Sequence, residues 1–393
     1  MAAVLAVARE HGFAVLTRGA GTQDTWGAPC RRVPVVLDTR GLVGVVRHEP
    51  GDLTMRLRPG TPLRQVCDLL RPHGQTLALH PPGWARATVG GAVAGDAWGA
   101  NRGTYGGPRD LTLGLRVVDG GGRAFTTGGD VVKNVSGFDV GKLFVGSFGS
   151  LGVLVEISCK LRPLPVQRAV WSARWTEATA AWDALLAITD GDFQPVAAVL
   201  VGGSGAPHAM LVLEGGREEV SDQLARLRAL APPDAPVVEA LDPADGSGAG
   251  AAGGALAAAL DPGAAAPALL VRCEVPEAQL RSLWTALAAG AAEGNTPSDQ
   301  PARGPALTAW LGLGVLWYAA GVGAQEMPSR AKAVRALAED LGGRAVVAAA
   351  RGADPAQVQP WGDAGELLPW FQRLKQRFDP AGVLAPGRFV GGL

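Results

Sequence analysis

Gly146, Gly149 and Gly152 place three glycines within seven residues, at the join between a short apolar helix and a strand, and no other feature narrows the possible folds as much. The surrounding stretch, KNVSGFDVGKLFVGSFGSLGVLVEISCKLRP, runs from Lys133 to Pro163. Within it Gly137-Phe138-Asp139 reads as a turn into a helix, with Asp139 at the N-cap and Val140, Leu143 and Phe144 on one apolar face. Val153 to Ile157 then reads as a strand. Glycine at this density lets backbone approach something flat or crowded, because no Cβ stands in the way. A tight helix-to-strand turn is the alternative reading of the same residues.

A second segment favours the first reading. From Pro81 to Asp110 the chain runs PPGWARATVGGAVAGDAWGANRGTYGGPRD, and the side chains of Gly90 to Gly95 are too small to fill a core, so they leave room for a bulky ligand. Upstream, Phe13 to Thr17 reads as a strand, followed by the loop Arg18-Gly19-Ala20-Gly21-Thr22-Gln23. Exposed backbone N–H groups in such a loop can cradle a pyrophosphate, although Thr17 and Arg18 also read as a solvated strand end. A Rossmann fingerprint would require glycine where Asp24 stands and a helix starting directly after Gly21. A Walker loop would require Gly-Lys-Ser/Thr. Neither fits.

Composition bounds the partners. With 393 residues the chain is long enough for two cored domains, and 36 basic against 36 acidic side chains give no net charge to attract nucleic acid. Cys30, Cys67, Cys159 and Cys273 are scattered with no CxxC pair for a cluster or zinc, so they read as reduced thiols. The apolar run Ala2 to Ala8 is too short for a signal sequence, and no uninterrupted apolar stretch approaches the length of a membrane span. The expected location is cytoplasmic.

Short strands at Val35–Asp38, Gly44–Arg47 and Leu53–Leu57 precede a helix with Thr61 as N-cap, Pro62 at its first position and Leu63, Val66, Leu69 and Leu70 at helical spacing. Leu111–Val118 and Ala124–Thr126 read as two strands joined by a glycine turn. Past Pro165 strand and helix patterns alternate, with an Ala/Gly/Pro-rich stretch over 231–268 that reads as a flexible loop. The layout is α+β, with domains over 1–165 and 166–369 and a closing segment over 370–393.

The segments TRGAGTQDTWG, PPGWARATVGGAVAGDAWG, YGGPRD and KNVSGFDVGKLFVGSFGSLGV occur in the order, and at about the spacing, found in the FAD-binding domain of the vanillyl-alcohol oxidase or PCMH-type superfamily, which the chain resembles over about residues 1–165 and 370–393. KNVSGF and the closing FDPAGVLAPGRF resemble, within it, the E subunits of bacterial glycolate oxidase. The resemblance implies a two-subdomain FAD-binding domain holding the flavin between its subdomains, and a ferredoxin-like α+β cap domain over the flavin's reactive face. It implies a pyrophosphate loop of Arg18, Gly19, Ala20, Gly21, Thr22 and Gln23, and a flavin and ribityl lining of Pro82, Gly83, Val89, Gly90, Gly91, Ala94, Asp96, Ala97 and Gly99. Asp96 stands where relatives often carry Asn, which leaves the redox potential open. Gly152, Val153 and Val155 correspond to the strand that meets the flavin or adenine end, and Arg388 to a terminal segment folding back. No histidine or cysteine lies in the pyrophosphate loop, so FAD is expected to be non-covalent. His208 is the one histidine beyond residue 80, so no cap metal site is expected.

Several readings stay open. Lys133 is either a surface lysine or a cation stabilising reduced flavin. Arg109 and Asp110 read first as a structural pair, His80 as a loop histidine, and the eleven tryptophans as packing residues. Relatives open with an extra strand, whereas here Met1 directly precedes the first helix, so that strand is expected to be absent or the start to be internal. No acid/base pair stands out in the cap. The implied function is that of an FAD-binding subunit of a glycolate oxidase complex, partnered by a larger catalytic FAD subunit and an iron-sulfur subunit. A stand-alone FAD oxidoreductase and a redox-silent assembly subunit are the alternatives.

Overall fold

Alternation decides which side of each strand is covered. In Thr112–Asp119, Leu115 and Val117 are buried while Arg116 between them is exposed, as a half-covered sheet requires. The computed structural model describes residues 1–30, 33–130, 139–203, 205–230, 237–241, 251–293 and 305–393. They form two units: residues 1–99, 105–164 and 361–393 in the first, and 100–104 with 165–360 in the second.

The first unit is built on a five-stranded antiparallel sheet, in spatial order Val45–Glu49, Thr54–Leu57, Gly152–Lys160, Thr112–Asp119 and Ala124–Gly128. Helix Leu63–Leu70 covers one face through Leu63, Val66, Cys67 and Leu70, which are buried at i, i+3, i+4 and i+7. Each fully buried leucine of this kind contributes about 2 kcal/mol. A smaller layer holds helix Ala2–Glu10 and the parallel strands Val15–Arg18 and Val35–Asp38; it shares a core of Leu5, Val15, Val383 and Leu384 with Val118 and Val153 of the larger sheet.

Two caps differ from expectation. The helix begins at Leu63 with Pro62 as N-cap; the buried Thr61 hydroxyl instead donates to the Arg58 carbonyl at 2.8 Å and accepts from Gly44 N at 3.0 Å. The orphan Leu63 N–H is satisfied by the Ala87 carbonyl, 2.9 Å away, so no side-chain cap is needed. Asp139 does precede the short 3-10 turn Val140–Leu143, but makes no cap bond and lies 3.7 Å from Lys142 Nζ. Gly137 and Phe138 lie outside the described residues. Arg109 and Asp110 are not each other's partners: Arg109 donates to the Lys142 carbonyl, and Asp110 accepts from Gly107 N.

The second unit repeats one topology. Strand, helix, strand, strand, helix, strand runs through Gln167–Arg174, Ala178–Thr189, Ala197–Gly202, His208–Gly215, Arg217–Leu230 and Val237–Leu241. The same order recurs in Leu269–Glu274, Leu280–Glu293, Ala306–Leu311, Val315–Ala320, Met327–Asp340 and Arg344–Ala350. The repeats join where Ala197–Gly202 pairs antiparallel with Ala306–Leu311, which gives one eight-stranded sheet. Leu185, Val220, Leu283, Trp284 and Val334 from the four helices share one core with Trp171, Leu211 and Leu316 from the strands. The stretch read as a flexible loop contains strand Val237–Leu241 and helix Ala251–Leu260, and Trp310 Nε1 donates to the Ala259 carbonyl at 3.2 Å. Alanine is the strongest helix former, and this overrides the loop-like composition. On the sheet, Arg168 lies 3.1 Å from Glu214 in a buried pair and Arg272 2.8 Å from Glu274 in a half-buried one, pairs that the sequence did not suggest. Burial disfavours charged Glu274, but Arg272 and Arg344 outweigh it and hold the carboxyl below its ordinary range.

All four cysteines are free thiols. Burial pushes Cys67 up to about 11 and Cys159 and Cys273 up to about 12, while Cys30 is half-buried and raised less because Arg388 opposes the burial. At pH 8 a water-soluble disulfide reagent is expected to titrate Cys30 alone in the native protein and all four after unfolding. The folded thiols keep their protons longer than unfolded ones, so their contribution to stability is complete below the unfolded value of 9.0 and is lost as pH rises towards 11 to 12. Thermal melts across that range check this.

Candidate functional site

Strand Val15–Arg18 delivers the loop from Gly19 to Asp24 against the six-residue helix Val89–Ala94. The loop needs glycine where it meets the helix cap, and the helix needs glycine where it rests on Pro59. A Cβ on Gly19 would lie 2.5 Å from Thr88 Oγ1, the oxygen that accepts from Gly91 N and caps the helix. A Cβ on Gly90 would lie 2.5 Å from Pro59 Cβ and 2.8 Å from its carbonyl oxygen.

A third segment closes the other side. Gly146 N donates to the Val93 carbonyl at 3.1 Å and Phe148 N to the Ala94 carbonyl at 2.8 Å, so loop amides satisfy carbonyls at the helix end. Reaching them bends Phe148 and Gly149 into the left-handed region, with φ of 52° and 74°. For phenylalanine this conformation is strained and persists only where the surroundings enforce it. Its ring packs edge-on against Trp361 at 5.0 Å, and Trp361 Nε1 donates to the Arg388 carbonyl at 2.8 Å.

The three segments enclose an open cavity. Its lining includes Leu16 to Asp24, Thr39, Pro59, Gly90, Gly91, Ala94, Gly95, Phe148, Gly149, Gly152, Leu154 and Arg388. Arg388 donates through Nη2 to the Gln23 carbonyl at 2.8 Å and through Nη1 to the Asp24 carbonyl at 3.3 Å. Arg18 holds Asp24 Oδ2 through Nε at 2.7 Å and Nη2 at 2.6 Å. Two guanidinium groups against one carboxylate leave this end of the cavity positive. Thr17 Oγ1 and Gln23 Oε1 are buried with no hydrogen-bond partner among the described residues, and both residues line the cavity. Buried polar atoms are otherwise almost always paired, so these two are places for a ligand's polar groups.

Of the residues expected from sequence, Arg18 to Gln23, Gly90, Gly91, Ala94, Gly152 and Arg388 meet at this cavity. The others lie elsewhere. Gly83 abuts the loop, where a Cβ would lie 3.2 Å from Thr22 Cγ2, and Pro82 precedes it, outside the lining. Val89 and Ala97 are in the core of the larger layer, Val153 is in that of the smaller, and Val155 packs against the latter. Asp96, at φ 44°, stands beside Gly146, and Gly99 is buried beyond it. Lys133 lies outside the described residues. Asp24, Thr39, Pro59, Phe148 and Leu154 line the cavity without having stood out in the sequence. Gly149 was visible in the glycine spacing, whereas the bond of Phe148 to Ala94 had no local signal.

A glycine-lined, positively charged cradle at the end of a strand suits a dinucleotide's pyrophosphate. The comparisons agree. The family model described as FAD binding domain matches residues 1–128. Residues 1–128 are thus an FAD-binding domain, and FAD is the cofactor. It is 38% identical over 200 residues to the glycolate oxidase subunit GlcE of Escherichia coli K12, covering 48% of this chain and 56% of that one. It is 30% identical over 162 residues to the glycolate oxidase subunit GlcD of Bacillus subtilis (41% and 34% covered) and 33% identical over 163 residues to the D-lactate dehydrogenase of Archaeoglobus fulgidus (42% and 36%). The matches thus span about a third to just over half of these relatives. A solved alkyldihydroxyacetonephosphate synthase has the same fold, with a TM-score of 0.71 at 14% identity over 98% of this chain and 74% of the other.

The described geometry fits FAD: the glycines leave the room, Thr17 and Gln23 offer unpaired polar atoms, and Arg388 fixes the loop. Gly19→Ala should displace the Thr88 cap and raise the Kd for FAD by roughly tenfold. Asp24→Asn should free Arg18 and tighten FAD binding severalfold at low salt, an effect that fades as salt rises. Fluorescence titration of the stripped protein checks both; unchanged affinity in Gly19→Ala would show that the close contact of the loop with Thr88 does not set FAD binding.

Proposed function

We propose that the chain is the FAD-binding subunit of a 2-hydroxy-acid dehydrogenase complex that oxidises glycolate to glyoxylate. Its partners in this reading are a second FAD subunit with a catalytic cap and an iron-sulfur subunit that carries the electrons onward. The observation that carries it is the glycine cradle closed by Arg388, in a chain whose residues 1–128 match an FAD binding domain and which is similar to glycolate oxidase subunits. D-lactate and D-2-hydroxyglutarate dehydrogenases, which match over nearly the same share of the chain, support the 2-hydroxy-acid class.

Bound FAD supplies a two-electron acceptor for the hydride leaving the α-carbon, while the hydroxyl proton departs separately. The chain's own residues bind and orient. Loop amides from Gly19 to Gln23 would hold the pyrophosphate, Arg388 engages the Gln23 and Asp24 carbonyls of that loop, and Thr17 Oγ1 and Gln23 Oε1 would pair with polar groups of the cofactor. None of the described residues lining the cavity is cysteine or histidine, which supports non-covalent attachment. No described helix is long and apolar enough to cross a membrane, and we place the protein in the cytoplasm, reaching any membrane only through its partners.

An anaerobic visible spectrum before and after glycolate tests the assignment. The protein purified alone should show a flavin band released intact by denaturation, and the band should bleach with glycolate once the partner subunits are present. Bleaching without partners would make the chain a stand-alone oxidoreductase. A band that persists in the active complex would make its flavin redox-silent.

A further inference from the structure

Lys375 lies outside the cavity yet holds two of its walls. Its Nζ donates to the Ser150 carbonyl at 2.9 Å and the Leu384 carbonyl at 2.7 Å, and lies 2.8 Å from Asp379 Oδ2. An ammonium carries three N–H donors, and all three have an acceptor here. Asp379 is fully buried; its two carboxylate oxygens accept from Val383 N at 3.1 Å and Leu384 N at 2.8 Å.

Each acceptor leads to a different part of the cofactor site. Ser150 follows Gly149 in the cavity loop. Leu384 lies alongside Val15, where Val15 N donates to the Val383 carbonyl at 2.7 Å and Ala385 N to the Val15 carbonyl at 2.9 Å; Val15 opens the strand that leads into the Gly19–Gly21 loop. The segment beyond Leu384 carries Arg388, which binds that loop's carbonyls. One charge thus joins both glycine loops and the segment that locks one of them. The side chain is only 12% exposed, so a neutral replacement would leave the Asp379 carboxylate and two carbonyls without this donor and away from water.

We propose that Lys375 is a positioning residue for the cofactor: it sets the placement of the two glycine loops, and thereby couples FAD binding to the seating of residues 379–388 on Val15. A ligand touching both loops binds the seated form, so FAD favours seating by the same factor by which seating raises FAD affinity. This rests on the FAD reading of the cavity.

The test strips FAD from the full chain and titrates FAD back by fluorescence, well below the melting temperature, in wild type, Lys375→Met, Lys375→Arg and Leu200→Ala. Leu200 is buried in the core of the second unit, so its truncation reports general destabilisation. Lys375→Met should raise the Kd by about tenfold or more, since it deletes charge-assisted hydrogen bonds. Lys375→Arg should recover most of the affinity, and Leu200→Ala should bind as wild type. Hydrogen exchange on the wild type, which needs no variant to fold, should show the amides of Val383, Leu384 and Ala385 slowed severalfold by FAD. Wild-type affinity in Lys375→Met, an equal loss in Leu200→Ala, or exchange at those amides unmoved by FAD would each overturn the proposal. A wild type that binds no FAD would overturn the reading of the cavity itself.

Discussion

The docking of the Gly146–Gly149 loop onto the end of helix Val89–Ala94 is the constraint from which the rest of the first unit follows. The helix is only six residues long, so its last carbonyls are a large share of its backbone, and Gly146 N and Phe148 N satisfy two of them. That bond places Phe148 at φ 52° and turns its ring towards Trp361 and Arg388. Without glycine at 90 the helix could not rest on Pro59, and without it the loop would have nothing to bond. The cavity is the space left when backbone, rather than side chains, meets backbone.

Sheet edges shaped the second unit. Each strand-helix-strand-strand-helix-strand repeat alone would expose two edge strands, an invitation to wrong pairing. Joining Ala197–Gly202 to Ala306–Leu311 removes one edge from each repeat. The joined sheet presents a single continuous face to four helices, and its core includes Trp171, Trp182 and Trp284. These tryptophans pack, as expected of them from the sequence, whereas Trp370 is 61% exposed.

Much of the candidate site was legible because glycine patterns are local. Gly19, Gly21, Gly90, Gly91 and Gly152 stood out for lacking a side chain, and a missing Cβ has the same meaning in any context. Strand positions were legible for a similar reason, since period-two alternation needs only neighbours. What failed needed partners far along the chain. Thr61 looked like an N-cap, but Gly44 and Arg58 hold its hydroxyl; Arg109 and Asp110 looked like a pair, but Lys142 and Gly107 are their partners. Val89, Ala97 and Val153 share segments with the cavity glycines but lie in cores: Val153 follows Gly152 on a strand, where successive residues face opposite ways, and Val89 sits on a helix, where neighbours are about 100° apart.

By itself the amino-acid sequence determined the α+β class, the strand-loop-helix order around each glycine cluster and the absence of charge suited to nucleic acid. These depend on residues within a few positions of one another. The tertiary structure decided which polar atoms were left unpaired, as at Thr17 and Gln23, and which charges were taken up, as Asp24 by Arg18. It also decided that one lysine, 225 residues from Ser150, would hold the two glycine loops together. Hydrogen bonds form between atoms within about 3 Å of each other, and only the folded chain determines which residues come that close.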